Sequence, residues 1–247
     1  MPDIVTDDLS FIICHRGASA YAPQNTYAAF DCAHKMGGRW VEFDVRLCGS
    51  GEIVVFHDHH LKAFSMHWGS IKRLSYERLS TVNVAGEFTQ QLGEQYPPLL
   101  QEVLPYLARR GFHVNIELKP DLFNARRLVQ GVLKNVREYW PSQIVAPLYS
   151  CFSGRTLKYL HRIDAAASLA ILMSKWSPRK VRLAQKLNCF SVNMASRLVT
   201  KQRVDKLHAM GFKVMVFTVN SKQRALELKD LGVDSIFTDY PDLLTKD

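Results

Sequence analysis

Short apolar runs recur along this chain, and the stretches between them space their apolar residues three or four apart. The first pattern suits strands buried on both sides, the second amphipathic helices. Nine runs are predicted strands: Phe11–His15, Trp40–Leu47, Ile53–His57, Val114–Leu118, Ala146–Cys151, Leu169–Met173, Phe190–Met194, Val214–Val219 and Ser235–Thr238. The intervening stretches carry helix start and stop signals. Thr200 precedes Val204, Leu207 and Met210, and Ser221 precedes Ala225, Leu228 and Leu231. Ser177-Pro178 fits an N-cap followed by proline at the first helical position. Met36-Gly37, Arg110-Gly111, Met210-Gly211 and Leu231-Gly232 each read as a helix stop just before a strand.

Helices separate every pair of neighbouring strands but the second and third. Those two have no room for a crossover and must form a hairpin. Setting the return strand aside leaves eight strands in βα order, an α/β chain closing into a (β/α)₈ TIM barrel with a β-hairpin extension of its second strand. A two-residue turn at Ser50-Gly51 pairs Gly49 with Glu52. By that count Asp44 faces His57 across the hairpin.

Length and composition fit this picture. A barrel is normal at 247 residues, and 47% apolar residues supply its core. The chain reads as one domain, 1–247. No apolar run reaches the roughly 18 residues of a membrane span. The first residues, Met-Pro-Asp-Ile-Val-Thr-Asp-Asp, lack the order of a secretory signal. Five cysteines without Cys-x-x-Cys spacing read as buried free thiols, so the expected compartment is the cytoplasm. The net charge of +9 is scattered, and no nucleic-acid motif accompanies it. It reads as solvated helix faces with some attraction for an anionic substrate.

The candidate chemistry lies at strand ends, where barrels gather catalytic groups. His15-Arg16-Gly17 closes the first strand. Glu42 and Asp44 share one face of the second by period 2. Two carboxylates on one face repel unless a cation lies between them, which points to a hard divalent ion. Glu117 and Lys119 share a face at the end of the next barrel strand, and Pro120 stops it. His57-Asp58 ends the hairpin's return strand. Three carboxylates, with waters and a substrate phosphate, can complete an oxygen shell for Mg²⁺ or Ca²⁺. Arg16 and Lys119 can hold a phosphate, and a histidine beside such a site suits acid–base work. His34, His59, His60, His67, His113, His161 and His208 read as structural.

With these residues in place the chain resembles the glycerophosphodiester phosphodiesterases, nearest their short cytoplasmic bacterial type. The resemblance rests on His15-Arg16-Gly17, Pro23-Gln24-Asn25-Thr26, Glu42-Phe43-Asp44, Val55-Phe56-His57-Asp58, Ile116-Glu117-Leu118-Lys119, Phe217-Thr218-Val219-Asn220 and Ile236-Phe237-Thr238-Asp239-Tyr240-Pro241, in that order over about residues 11–242. It implies metal-dependent hydrolysis of a glycerophosphodiester to glycerol 3-phosphate and an alcohol. It implies a divalent metal, Mg²⁺ or Ca²⁺, on Glu42, Asp44 and Glu117. His15 and His57 would be the acid–base pair, with His15 taken as base and His57 as acid. Arg16 and Lys119 would bind the phosphate, and a small insertion at about residues 58–98 would cover the site. The expected partner is a small-molecule substrate, with no nucleic acid and no membrane span; the oligomeric state is left open. A phospholipase-type lyase stopping at a cyclic phosphate and a phosphate-binding module without turnover are the alternatives. Two positions depart from the family pattern. Gln24 stands where the family usually has Glu. Ala63-Phe64-Ser65-Met66-His67 follows the His-Asp motif where Arg-Thr-Thr is usual. Phe64, Met66, His67 and Trp68 are candidates either for contact with the alcohol headgroup or for the small core of the insertion itself.

Overall fold

The computed structural model describes residues 9–61 and 69–245. Its strands are β1 (Ile12–His15), β2 (Trp40–Leu47), β3 (Ile53–Val55), β4 (His113–Leu118), β5 (Leu148–Cys151), β6 (Ser168–Met173), β7 (Ser191–Ala195), β8 (Lys213–Phe217) and β9 (Ser235–Thr238). All but β3 run parallel, and β1 pairs with both β9 and β2, so eight strands close into a barrel. Helices α1 (Tyr27–Lys35), α4 (Leu100–Arg109), α5 (Ala125–Tyr139), α6 (Gly154–Ile163), α7 (Pro178–Lys186), α8 (Lys201–Ala209) and α9 (Lys222–Asp230) form the outer layer. Two short helices, α2 (Tyr76–Leu79) and α3 (Thr89–Leu92), lie in the segment between β3 and α4. The expected (β/α)₈ fold is the fold observed.

Local signals act where the sequence places them. Thr200, Ser221 and Ser177 each accept a backbone N–H three residues ahead, capping α8, α9 and α7. The four glycine stops all take positive φ, between 71° and 86°, a region that costs a residue with a Cβ. Along β2, Val41, Phe43, Val45 and Leu47 join the large core between barrel and helices, while Trp40 lies in a separate layer with Ile13, Leu148, Ala170, Met215 and Phe237. By the same alternation Glu42, Asp44 and Arg46 share the face of Trp40, and all three are buried.

The hairpin departs from expectation. Val45 pairs with Val55 and Leu47 with Ile53. The Phe56 N–H donates to the Asp44 carbonyl at 2.9 Å, so Asp44 faces Phe56 and not His57. The cause is a three-residue loop, Gly49-Ser50-Gly51, in place of a two-residue turn. Cys48 N–H donates to the Glu52 carbonyl, and Gly51 takes φ +106°. Gly49 packs against the next segment so closely that a Cβ would meet the Arg73 carbonyl carbon at 2.7 Å. The return strand therefore ends at Val55, and Phe56 turns into a small separate core with Val54, Leu61, Ile71, Leu79, Val82 and Val84. The residues beyond β3 thus carry apolar packing of their own.

Candidate active site

The first motif is a sharp reversal. Arg16 (φ +57°) and Gly17 (φ +88°) both adopt left-handed backbone after β1. A Cβ on Gly17 would stand 2.7 Å from the Ala29 backbone, so only glycine lets this turn lie against α1. The reversal points the Arg16 N–H at the Glu42 carbonyl, 2.8 Å away, and at Glu42 Oε2, 3.2 Å away. The Pro23-Gln24-Asn25-Thr26 turn then divides its work. Gln24 Oε1 accepts from the Arg16 guanidinium. Asn25 holds Asp44 twice, through Nδ2 to Oδ2 at 3.0 Å and by accepting the Asp44 N–H at 3.2 Å. Thr26 caps α1.

Glu42, Asp44 and Glu117 converge, each offering a carboxylate oxygen within 4.8 Å of the others. Asp44 lies between two cations, with Arg16 Nε at 3.1 Å and Lys119 Nζ at 3.3 Å. Lys119 also donates to Glu117 Oε1 at 2.8 Å. The three carboxyls therefore titrate differently. Burial opposes the charge of Asp44, but Arg16 and Lys119 outweigh it and hold Asp44 well below the usual range. Burial raises Glu42 well above its ordinary value, and repulsion from Asp44 and Glu117 adds to it. Burial and Asp44 likewise push Glu117 up to about 7. Lys119 is raised because Asp44 and Glu117 outweigh its own burial.

Both expected histidines border the cluster. Each has its Nδ1 fixed by a carboxylate, His15 by Asp239 Oδ1 and His57 by Asp58 Oδ1, both at 2.6 Å. Such a bond keeps the proton on Nδ1 and leaves Nε2 facing the site. His15 Nε2 lies 3.9 Å from Glu42 Oε2. Burial lowers the pKa of both rings, against the pull of Asp239 on His15 and of Asp44 on His57. Asp239 also accepts from Ser19 Oγ and Asn220; burial opposes its charge, but His15 and these donors together outweigh burial and bring it to about 2.

His57 reaches the site without help from strand pairing. Its carbonyl accepts from Arg46 Nε at 2.8 Å. Arg46 is 2% exposed and also contacts His59, the Lys119 carbonyl and Asp121. One buried guanidinium thus ties the histidine loop to the end of β4. The sequence alone assigns no role to Arg46 or to Asp239, although Asp239 lies within the last of the motifs. Arg46 is two residues beyond Asp44 on the same strand face. Asp239 directly follows the last barrel strand, at the same rim.

Two cavities open here. The inner one, about 150 Å³, is lined by His15, Arg16, Glu42, His57, Glu117 and Lys119 together with Phe152, Phe217 and Phe237. The outer one, about 460 Å³, shares His15 and Arg16 and is walled by Gln24, residues 84–88, Asp239 and Tyr240. The aromatic group suggested for the headgroup, Phe64 to Trp68, lies outside the described residues.

A closed barrel with carboxylates, cations and carboxylate-held histidines at one rim defines an enzyme built to hold an anionic small molecule. The chain belongs to the glycerophosphoryl diester phosphodiesterase family, whose model matches residues 15–243. It is 32% identical over 238 residues to a glycerophosphodiester phosphodiesterase of Bacillus altitudinis, covering 95% of this chain and 96% of that one. A second such enzyme, from Caldanaerobacter subterraneus, is 26% identical over 95% of this chain and 96% of its own length. Among solved structures, an Oleispira antarctica phosphodiesterase in complex with the product sn-glycerol-3-phosphate superposes with a TM-score of 0.92 at 28% identity, over 97% of this chain and 96% of that one. No helix among the described residues is long and apolar enough to cross a membrane.

Proposed function

We propose that this enzyme hydrolyses glycerophosphodiesters to glycerol 3-phosphate and an alcohol, with a divalent ion, Mg²⁺ or Ca²⁺, on Glu42, Asp44 and Glu117. The observation that carries the reading is the pair of histidines, each fixed through Nδ1, on the border of one cavity lined also by Glu42, Glu117, Arg16 and Lys119, with Asp44 completing the carboxylate group behind it. The donor set fits a hard cation. All three ligands are carboxylates, and Glu42 Oε1 is buried with no hydrogen-bond partner. When bound, such an ion neutralises phosphate oxygens and lowers the pKa of a nearby hydroxyl.

The chain's own residues do the rest. Arg16 lines both cavities, so a phosphate beside it sits at their junction. The two ends of a diester then enter different spaces. Lys119 supplies the second cation on the inner side. His15, held neutral by burial, takes the proton of the attacking hydroxyl at Nε2. His57 gives a proton to the leaving alkoxide. Asp239 and Asp58 fix each ring and stabilise its charged form when it carries the proton. Residues 84–88, from the expected insertion at 58–98, wall the outer cavity and bear on which diester is accepted. The free thiols Cys14, Cys32, Cys48, Cys151 and Cys189 suit action in the reducing cytoplasm.

The test is glycerol 3-phosphate release from glycerophosphocholine, glycerophosphoethanolamine and glycerophosphoglycerol, with and without chelator. We expect turnover that chelation removes and Mg²⁺ or Ca²⁺ restores. Full activity after exhaustive chelation would end the metal assignment. Accumulation of a cyclic phosphate without the monoester would make the enzyme a lyase.

A further inference from the structure

The loop that follows Lys119 carries a feature the reaction does not use. Leu122 is 79% exposed and Phe123 is fully exposed at 100%. The loop presents them by construction. Asn124 Oδ1 accepts the Asp121 N–H at 2.8 Å, and Arg46 reaches Asp121 at 3.4 Å. Phe123 itself has φ +72°, an unusual conformation for a bulky residue. Two large apolar side chains are thus held out into water at the catalytic rim, on a loop pinned at its base.

The sequence that follows them is one-sided in charge. Residues 122–204 contain 15 of the 32 Lys and Arg but only two of the 23 Asp and Glu, Glu138 and Asp164. The other residues carry 17 basic against 21 acidic groups, so this third of the chain supplies more than the whole net charge. Part of that charge sits at helix N-termini. α5 begins Ala125-Arg126-Arg127, α6 begins Gly154-Arg155 and α7 begins Pro178-Arg179-Lys180, with no acidic residue in any of the three first turns. A cation at a helix N-terminus opposes the helix dipole. These first turns follow strand C-terminal ends, so they lie at the rim that bears the wedge. Leu122, Phe123, Arg126 and Arg155 line one open groove there, whose one acidic group, Asp121, is paired with Arg46.

We propose that this rim, with Leu122-Phe123 as its wedge and Arg126, Arg127 and Arg155 around it, docks on the surface of an anionic phospholipid bilayer. Basic groups attract the anionic headgroup layer, and an apolar pair enters the headgroup–acyl boundary. A polyanion such as RNA would satisfy the charge but not the wedge. The contact is peripheral and is separate from the diester chemistry.

The test uses the full chain and sedimentation with vesicles of phosphatidylcholine, alone or mixed with phosphatidylglycerol. Salt is set at about 0.1 M and about 1 M, where the screening length falls from ~10 Å to ~3 Å. We expect binding to the mixed vesicles at low salt, loss of it at high salt, and about tenfold weaker binding to phosphatidylcholine alone. Leu122→Ser combined with Phe123→Ser should weaken binding to the mixed vesicles about tenfold. Its circular dichroism and its turnover of a soluble diester should be unchanged. Arg126→Gln with Arg155→Gln should weaken binding and flatten its salt dependence. Equal binding to both vesicle types would overturn the proposal, as would wild-type affinity in the serine variant. So would a wild-type dimer that the serine variant dissolves while vesicles bind neither protein. Tight binding to single-stranded RNA that the serine variant retains, without vesicle binding, would assign the basic surface to nucleic acid instead.

Discussion

Two carboxylate centres in this barrel are built to opposite ends. Asp234 stands just before β9, at the N-terminal ends of the strands. It accepts from the Val214 N–H at 2.8 Å, Lys213 Nζ at 2.9 Å and His208 at 2.7 Å. Burial opposes its charge, yet these donors outweigh burial and hold its pKa low. The Glu42, Asp44 and Glu117 group at the other end has three carboxyls and two cations. It leaves Glu42 Oε1 without a hydrogen-bond partner and pushes Glu42 and Glu117 up. The first centre is satisfied and serves stability. The second stores repulsion that a cation can relieve, the usual cost of a site organised for chemistry.

The largest effects should come from the histidines that border the unsatisfied centre. His15→Ala or His57→Ala should cost on the order of 10²–10⁴ in turnover. The double variant should lose far less than the product of the two, because groups acting as a unit are non-additive. Near-normal turnover by His57→Ala on a diester with a poor leaving group would remove its role as acid.

Glu42→Gln sharpens the contrast between the two centres. It should remove turnover and the thermal stabilisation given by Mg²⁺ or Ca²⁺, about 2.7 kcal/mol at a hundredfold excess over Kd. In chelator the variant should be no less stable than wild type, since it removes a repelled charge. A clear loss of stability in chelator would mean that Glu42 is a structural ion-pair partner like Asp234.

Arg46→Gln should lower kcat about tenfold to a hundredfold, the scale of a misplaced catalytic group. KM should move less, because neither phosphate cation changes. A fall in melting temperature with unchanged kcat would make Arg46 structural only.

Asp234→Asn should show the reverse of Glu42→Gln: about 1–3 kcal/mol less stability and unchanged turnover. The sign with pH follows from its depressed folded pKa. The unfolded chain takes up the proton first, so the stabilisation is present above an unfolded value near 3.9 and is lost as pH falls through the folded one. The gap between wild type and Asp234→Asn in denaturant midpoint should therefore close as the pH is lowered below about 4. A gap independent of pH would show that Asp234 acts through shape and not charge.

The same contrast separates what could be read from the chain alone. Glu42 and Asp44 share a face because β2 alternates through them, and that follows from period 2. The helix stops at Gly37, Gly111, Gly211 and Gly232 follow from backbone sterics. His57 was placed near the carboxylates by a register that is off by one residue. The structure shifts that register because the loop at residues 49–51 packs on Arg73 and Leu74, more than twenty residues further along the chain.

Local sequence determined the order of elements, their caps, the alternating faces and the motif set that marks the family. Each depends on residues a few positions apart, where sterics and hydrogen bonding act at once. Tertiary structure alone decided that Asp239 holds His15 across 224 residues, that Arg46 grips the His57 loop, and that Arg16 stands between two cavities. It also decided which carboxyls share cations and which repel. Those outcomes depend on closure of the barrel, which brings β9 beside β1 and sets burial and charge together at one rim.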